Sequence, residues 1–208
     1  SLDMCIAQSD LAGAENLEEL LMMPDKQQSV NASDLQQMAV ILMNMGYTEY
    51  RRLLFFSKEH VTSNQVAQAL KHLNQSQTIL HGLMNPTDKT QMMRRMGMMR
   101  ILRGHHARLL IFLAECLMMQ YVIDRGVSSL EKAAAYLEQA RQQLKPEHGL
   151  WFARCTYNFA SVSRLLPNNE TSEQEVRDLY REAFDAIKSK VSPENRDYKL
   201  LQQAANSN

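Results

Sequence analysis

The residue types that could carry chemistry are scattered along this 208-residue chain rather than gathered. Its six histidines fall at 60, 72, 81, 105, 106 and 148, and only His105 and His106 adjoin. Neighbours on a helix project about 100° apart, so that pair cannot readily share one metal ion. No Glu-x-x-His offers a di-iron carboxylate site, no His-Glu-x-x-His a zinc site, and no Asp-Asp-x-x-Asp a magnesium diphosphate site. A Gly-x-Ser-x-Gly elbow and a glycine-rich phosphate cradle are missing too. Cys116 lies inside the apolar run Leu109 to Met119, where a thiol packs as a small hydrophobe rather than reacting as a thiolate. The expectation is a non-catalytic protein with no metal and no cofactor.

Two other patterns suit recognition. Met92, Met93, Met96, Met98 and Met99 crowd a short stretch, and flexible thioether side chains suit an adaptable groove for a partner helix. The same stretch carries Lys89, Arg94, Arg95, Arg100, Arg103 and Arg108 against the single acid Asp88, a ridge that would take an acidic peptide or a phosphate group. The candidate partner contacts are therefore Arg94, Arg95, Arg100, Arg103, Met92, Met96 and Met99. The plain alternatives are a methionine-filled core and a solvated helix face. Residues 1–25 are biased the other way, with Asp3, Asp10, Glu15, Glu18, Glu19 and Asp25 and no Lys or Arg. Within them Leu17, Leu20 and Leu21 share one helical edge, in the manner of the LxxLL and acidic-hydrophobic peptides gripped by transcriptional partners. This segment would either meet another protein or dock on the chain's own basic ridge.

Lys plus Arg equals Asp plus Glu at 23 each, so no global field attracts a nucleic acid or an anionic bilayer. Leu109 to Met119 contains Glu115 and is shorter than the roughly 20 apolar residues a bilayer span needs. Three widely spaced cysteines and no basic-then-apolar leader point to an intracellular protein, cytoplasmic or nuclear. The five prolines stand between apolar-periodic stretches, as helix punctuation does. Capping signals and periodicity predict helices at 34–45, with Gly46 as its stop, and at 48–60 and 62–84. They continue from 87 or 88 to 125 with a bend at Gly104, then 128–144, 149–165, 172–187, and a last helix from Pro193 to about 205. Residues 1–32 form an acidic segment with a short LxxLL helix, and 33–205 a single all-α domain. Short loops leave consecutive helices antiparallel, so the prediction is stacked helical hairpins, about eight or nine helices in all.

Ala114, then Ala133, Leu137 and Ala140 before Pro146, resemble the tetratricopeptide family. Val176, Tyr180 and Ala183 before Pro193 repeat the spacing, and Met38-Ala39, Leu42, Gly46 and Tyr47 are similar to the end of a first helix and its turn. The signature Trp and Gly of the first helix are absent. The resemblance implies a right-handed helical array over about 35–195 that binds a peptide or partner helix along a groove, as a scaffold or adaptor within a larger protein or complex. Over 33–73, Met45-Gly46-Tyr47 followed by Asn64, Val66, Ala69, Leu70 and Leu73 is similar to a ubiquitin-associated domain, with one residue inserted between Asn64 and Val66. That resemblance implies ubiquitin contacts at Tyr47 and Leu73.

Overall fold

The computed structural model describes residues 31–55, 61–85, 96–167 and 171–206. Among them are seven α-helices and no strand: α1 (Ala32–Leu53), α2 (Ser63–Met84), α3 (Met99–Asp124), α4 (Val127–Gln143), α5 (Leu150–Leu165), α6 (Glu173–Asp185) and α7 (Arg196–Asn206). Short 3-10 turns at Met96–Met98 and Pro146–His148 precede α3 and α5. The all-α expectation stands; among the described residues there are seven helices where eight or nine were expected, and two of the expected breaks are not made.

The first absent break is at Gly46. This glycine lies inside α1, not at its end, and it is buried. A β-carbon there would sit 2.7 Å from the Ala69 carbonyl oxygen and 2.7 Å from Leu73 Cγ of α2. Glycine is thus required for the approach of two helices, a tertiary demand that local stop signals cannot reveal. Ala39 and Ala69 are buried along the same contact, and Ser76 Oγ donates to the Ala39 carbonyl oxygen at 2.7 Å across it. The second absent break is at Gly104, which α3 passes without interruption and where an added methyl would meet nothing within 4 Å.

Caps follow the same division between local and tertiary causes. Thr62 with Gln65 and Ser172 with Glu175 close true capping boxes, each hydroxyl accepting an N3 amide while the N3 side chain accepts the cap amide. Two other helices start without a box. Asn31, two residues before Ser33, caps α1 by accepting from the Ser33 and Asp34 amides. Ser128 is already inside α4, whose cap is Gly126, because Arg125 turns left-handed (φ 58°) and Asp124 Oδ1 accepts the Gly126 amide at 2.8 Å. Pro193 stands in the turn before α7 rather than in its first turn, and α6 gives way to turns after Asp185.

Each helix packs chiefly on its sequence neighbours, while α3 also touches α1 and α5. Two apolar clusters result, and α3 serves both. Leu102, Leu109, Phe112, Leu113 and Cys116 face α1 and α2, whereas Ala107, Leu110, Ile111 and Ala114 join α4 to α7. A helix that must be apolar on nearly every side has no solvent stripe to maintain. For that reason α3 is long and apolar enough, by length and composition, to cross a bilayer, although much of it is enclosed by the neighbouring helices. Ala133, Leu137 and Ala140 of α4 are fully buried beside Ala114, so small side chains do let α3 and α4 approach closely.

Candidate functional site

One buried acid organises the middle of the molecule. Glu115 of α3 is 7% exposed, and an ionised carboxylate at that depth needs charge and hydrogen bonds around it. Arg154 of α5 supplies both. Its Nε donates to Glu115 Oε1 at 2.6 Å and its Nη2 to Oε2 at 2.5 Å, the two-pronged geometry that makes such pairs strong. Asn158, one turn further along α5, donates Nδ2 to the same Oε1 at 2.7 Å. Burial works against the charge on Arg154, but its hydrogen bond to Glu115 and that carboxylate's charge outweigh it and hold the guanidinium protonated well beyond its ordinary range.

Aromatic rings from α1, α3 and α5 surround this pair. Tyr47 stacks on Phe112 with ring centres 4.0 Å apart, and Phe112 meets Trp151 edge-on at 5.7 Å. Arg154 lies 5.1 Å from the Tyr47 ring centre and 5.4 Å from that of Phe112, while Arg108 lies 4.8 Å from the Trp151 ring. The Tyr47 hydroxyl then accepts from two guanidinium groups, Arg154 Nη2 at 3.0 Å and Arg51 Nη1 at 3.3 Å. On α3 the residues at this seam and the cleft beside it repeat at seven: Arg108, Glu115 and Val122. Seven residues are close to two helical turns, so the three form one stripe.

Beside the seam, between the last turns of α1 and the second half of α3, opens a cleft of about 330 Å³. Its lining is both apolar, from Leu53, Leu54, Val61, Met118, Met119 and Val122, and polar, from Tyr50, Arg51, Glu115, Arg154 and Asn158. Tyr50 is half-buried and its hydroxyl has no hydrogen-bond partner among the described residues. Burial, and then the charge of Glu115, push its pKa far above the ordinary phenol value, so it remains a donor. A second recess of about 410 Å³, lined by Pro146, Phe152, Asp178, Arg181, Glu182, Asp185 and Ala186, is different in kind. There the carboxylates face basic neighbours: Arg141 reaches Glu182 at 3.3 Å, Arg181 reaches Asp178 at 3.3 Å and Lys188 reaches Asp185 at 2.7 Å.

The residues singled out from the sequence are dispersed. Leu17, Leu20, Leu21, Met92, Arg94 and Arg95 lie outside the described residues. Met96 falls in the turn before α3, and Met99 is half-buried against the first apolar cluster. Arg100 and Arg103 are exposed on α3. Neither predicted ubiquitin contact is free: Leu73 is fully buried against α1, and Tyr47 is engaged by Phe112 and two arginines. The Met45-Gly46-Tyr47 loop on which that resemblance rests is uninterrupted helix. His106 is also occupied, its Nδ1 lying 3.1 Å from Gln143 Oε1. Among the described residues no group of three or more His, Cys, Asp and Glu could hold a metal ion.

Glu115, Arg154, Asn158, Trp151 and Tyr50 are the site residues that motif reading passes over. One signal was present: a lone acid within an apolar helix must find a buried cation, and Arg154 lies in the apolar stretch Trp151 to Cys155. No family model, curated protein or solved structure matches the chain.

Proposed function

We propose that this is a non-catalytic protein-interaction module, a scaffold or adaptor domain that holds a peptide or partner helix along the face made by α1, α3 and α5. The observation that carries the reading is the cleft beside Tyr47, lined by both exposed apolar side chains and polar groups held by the buried Glu115–Arg154 pair. Such a mixture favours side-chain anchoring with directional hydrogen bonds at its edge. Its carboxylate argues against a catalytic role, because every oxygen of Glu115 already accepts from Arg154 or Asn158. A general base needs a lone pair directed at substrate, and this one is committed to joining α3 and α5. A tetratricopeptide-like array is consistent with the packing order, in which each helix meets the next and α3 also meets the helices two before and two after it. Buried free thiols at Cys116 and Cys155 fit a reducing, intracellular setting.

The test is peptide display. A peptide library is panned against the whole chain, and enriched clones are measured again on a chain carrying Leu54→Glu and Val122→Glu. Both positions are exposed, at 51% and 37%, so the fold should be retained, as circular dichroism can verify. Enriched clones should bind the original chain and lose the variant. Clones indifferent to the two substitutions, or no enrichment at all, would refute this surface as a recognition site.

A further inference from the structure

We infer that the cleft beside Tyr47 accepts, from a separate protein, a peptide segment in which large aliphatic side chains stand next to carboxylates. The aliphatic group enters the cleft and a carboxylate pairs with Arg51 and Arg52. The inference rests on the peptide-binding reading above and names the chemistry of the peptide.

The apolar half of the argument comes from the cleft mouth. Leu54 is 51% exposed and Val122 37%, beside the half-buried Met118 and Met119. Thioethers adapt to the shape of an inserted side chain, and covering these groups removes apolar surface from water. The charge half comes from the end of α1. Arg51 and Arg52 occupy its last turn and are exposed, and neither pairs with a carboxylate among the described residues. Arg51 and Arg154 converge on one phenol oxygen, yet Glu115 answers only the charge of Arg154. The C-terminal dipole of α1, worth about half a negative charge, offsets only part of the excess left by Arg51 and Arg52. An acidic group arriving there gains a guanidinium partner, whereas a basic one meets repulsion. Tyr50 adds a hydroxyl donor to the cleft lining, suited to a peptide carbonyl.

Fluorescence anisotropy with the whole chain tests this, using three labelled synthetic peptides that differ only in a central Leu-Glu-Glu-Leu-Leu, Leu-Lys-Lys-Leu-Leu or Ala-Glu-Glu-Ala-Ala. The first should bind saturably, more weakly as salt is added, and the other two about tenfold more weakly or worse. Arg51→Glu with Arg52→Glu should lower affinity for the first by about tenfold and raise it for the lysine peptide. A lysine peptide that binds as well as the first, or an unchanged preference in the double variant, would overturn the inference. Binding of the first peptide that appears only after Leu17, Leu20 and Leu21 are changed to Ala would mean that the chain's own segment fills the cleft, and the separate-protein assignment would fall. Should none of the three bind while displayed clones still depend on Leu54 and Val122, the chemistry named here is wrong and the peptide-binding reading survives. Failure of both experiments removes both.

Discussion

Replacing Gly46 by alanine should destabilise the protein, although alanine is ordinarily the better helix former. In a helix interior the change from glycine gains about 0.5 to 1 kcal/mol through propensity alone. Here the new methyl would lie 2.7 Å from both the Ala69 carbonyl oxygen and Leu73 Cγ, and 3.0 Å from Leu73 Cδ2. Leu73 is fully buried and the carbonyl belongs to the backbone of α2, so neither can swing aside without moving that helix. Inserting a methyl into such a contact costs about 1 to 3 kcal/mol. At mid-range values the larger cost should prevail by about 1 kcal/mol, a fall in Tm of roughly 2 to 4 °C for a chain of this size. Gly104→Ala supplies the opposite sign, since it is also helical but has nothing within 4 Å of the added carbon. It should raise stability by about 0.5 to 1 kcal/mol. Urea unfolding followed by circular dichroism reads both, with equal m-values confirming that only stability changed. A Gly46→Ala protein as stable as the original would refute the close approach of α1 and α2, and with it the reason why this glycine does not end a helix.

Glu115→Ala should cost about 2 to 3 kcal/mol: less than the 3 to 5 typical of a broken buried pair, because Arg154 keeps 27% of its side chain exposed. Arg154→Met in the same background should restore part of that loss, and strictly additive effects in a double-mutant cycle would show that the two side chains do not interact. Titration of His72 makes stability depend on pH. Its hydrogen bond to Glu49, against opposing desolvation, raises its pKa above the ordinary imidazole value in the folded chain. The folded state therefore binds this proton more tightly, and the contribution is complete below about pH 6.5 and lost as pH rises through the folded value. His72→Gln should flatten that decline, and an unaltered profile would refute the assignment. His105 and His106 act with the opposite sign: burial lowers both, so their contribution fades as pH falls below about 6.5. With Cys5 replaced by Ser, native protein should react slowly with Ellman's reagent, because burial pushes Cys155 up to about 12 and raises Cys116 as well. Rapid modification before unfolding would contradict the packing around α3.

Much of the architecture is local in origin and was therefore readable. Thr62 with Gln65 and Ser172 with Glu175 announce their own helix starts, because a capping box involves only residues three apart. The alanines facing Ala114 foretell a tight hairpin for the same reason, since side-chain size is a property of the chain itself. The site was less legible. Arg100 and Arg103 drew attention by their charge and are exposed on α3, whereas Arg154, the arginine that organises the middle of the molecule, is a single cation in an apolar stretch. Its importance appears only when α5 lies beside α3, which brings it to Glu115 thirty-nine positions earlier in the chain.

What the amino-acid order determined by itself was the all-helical class, most helix starts and the absence of recognised catalytic motifs, all consequences of short-range periodicity and capping. The tertiary structure alone decided that Gly46 is a contact rather than a terminus, that α3 serves two apolar clusters, and that Tyr47, Glu115 and Arg154 meet beside a cleft. These depend on which helices pack together. That choice is made by the burial of whole faces at once, and no window of neighbouring residues contains it.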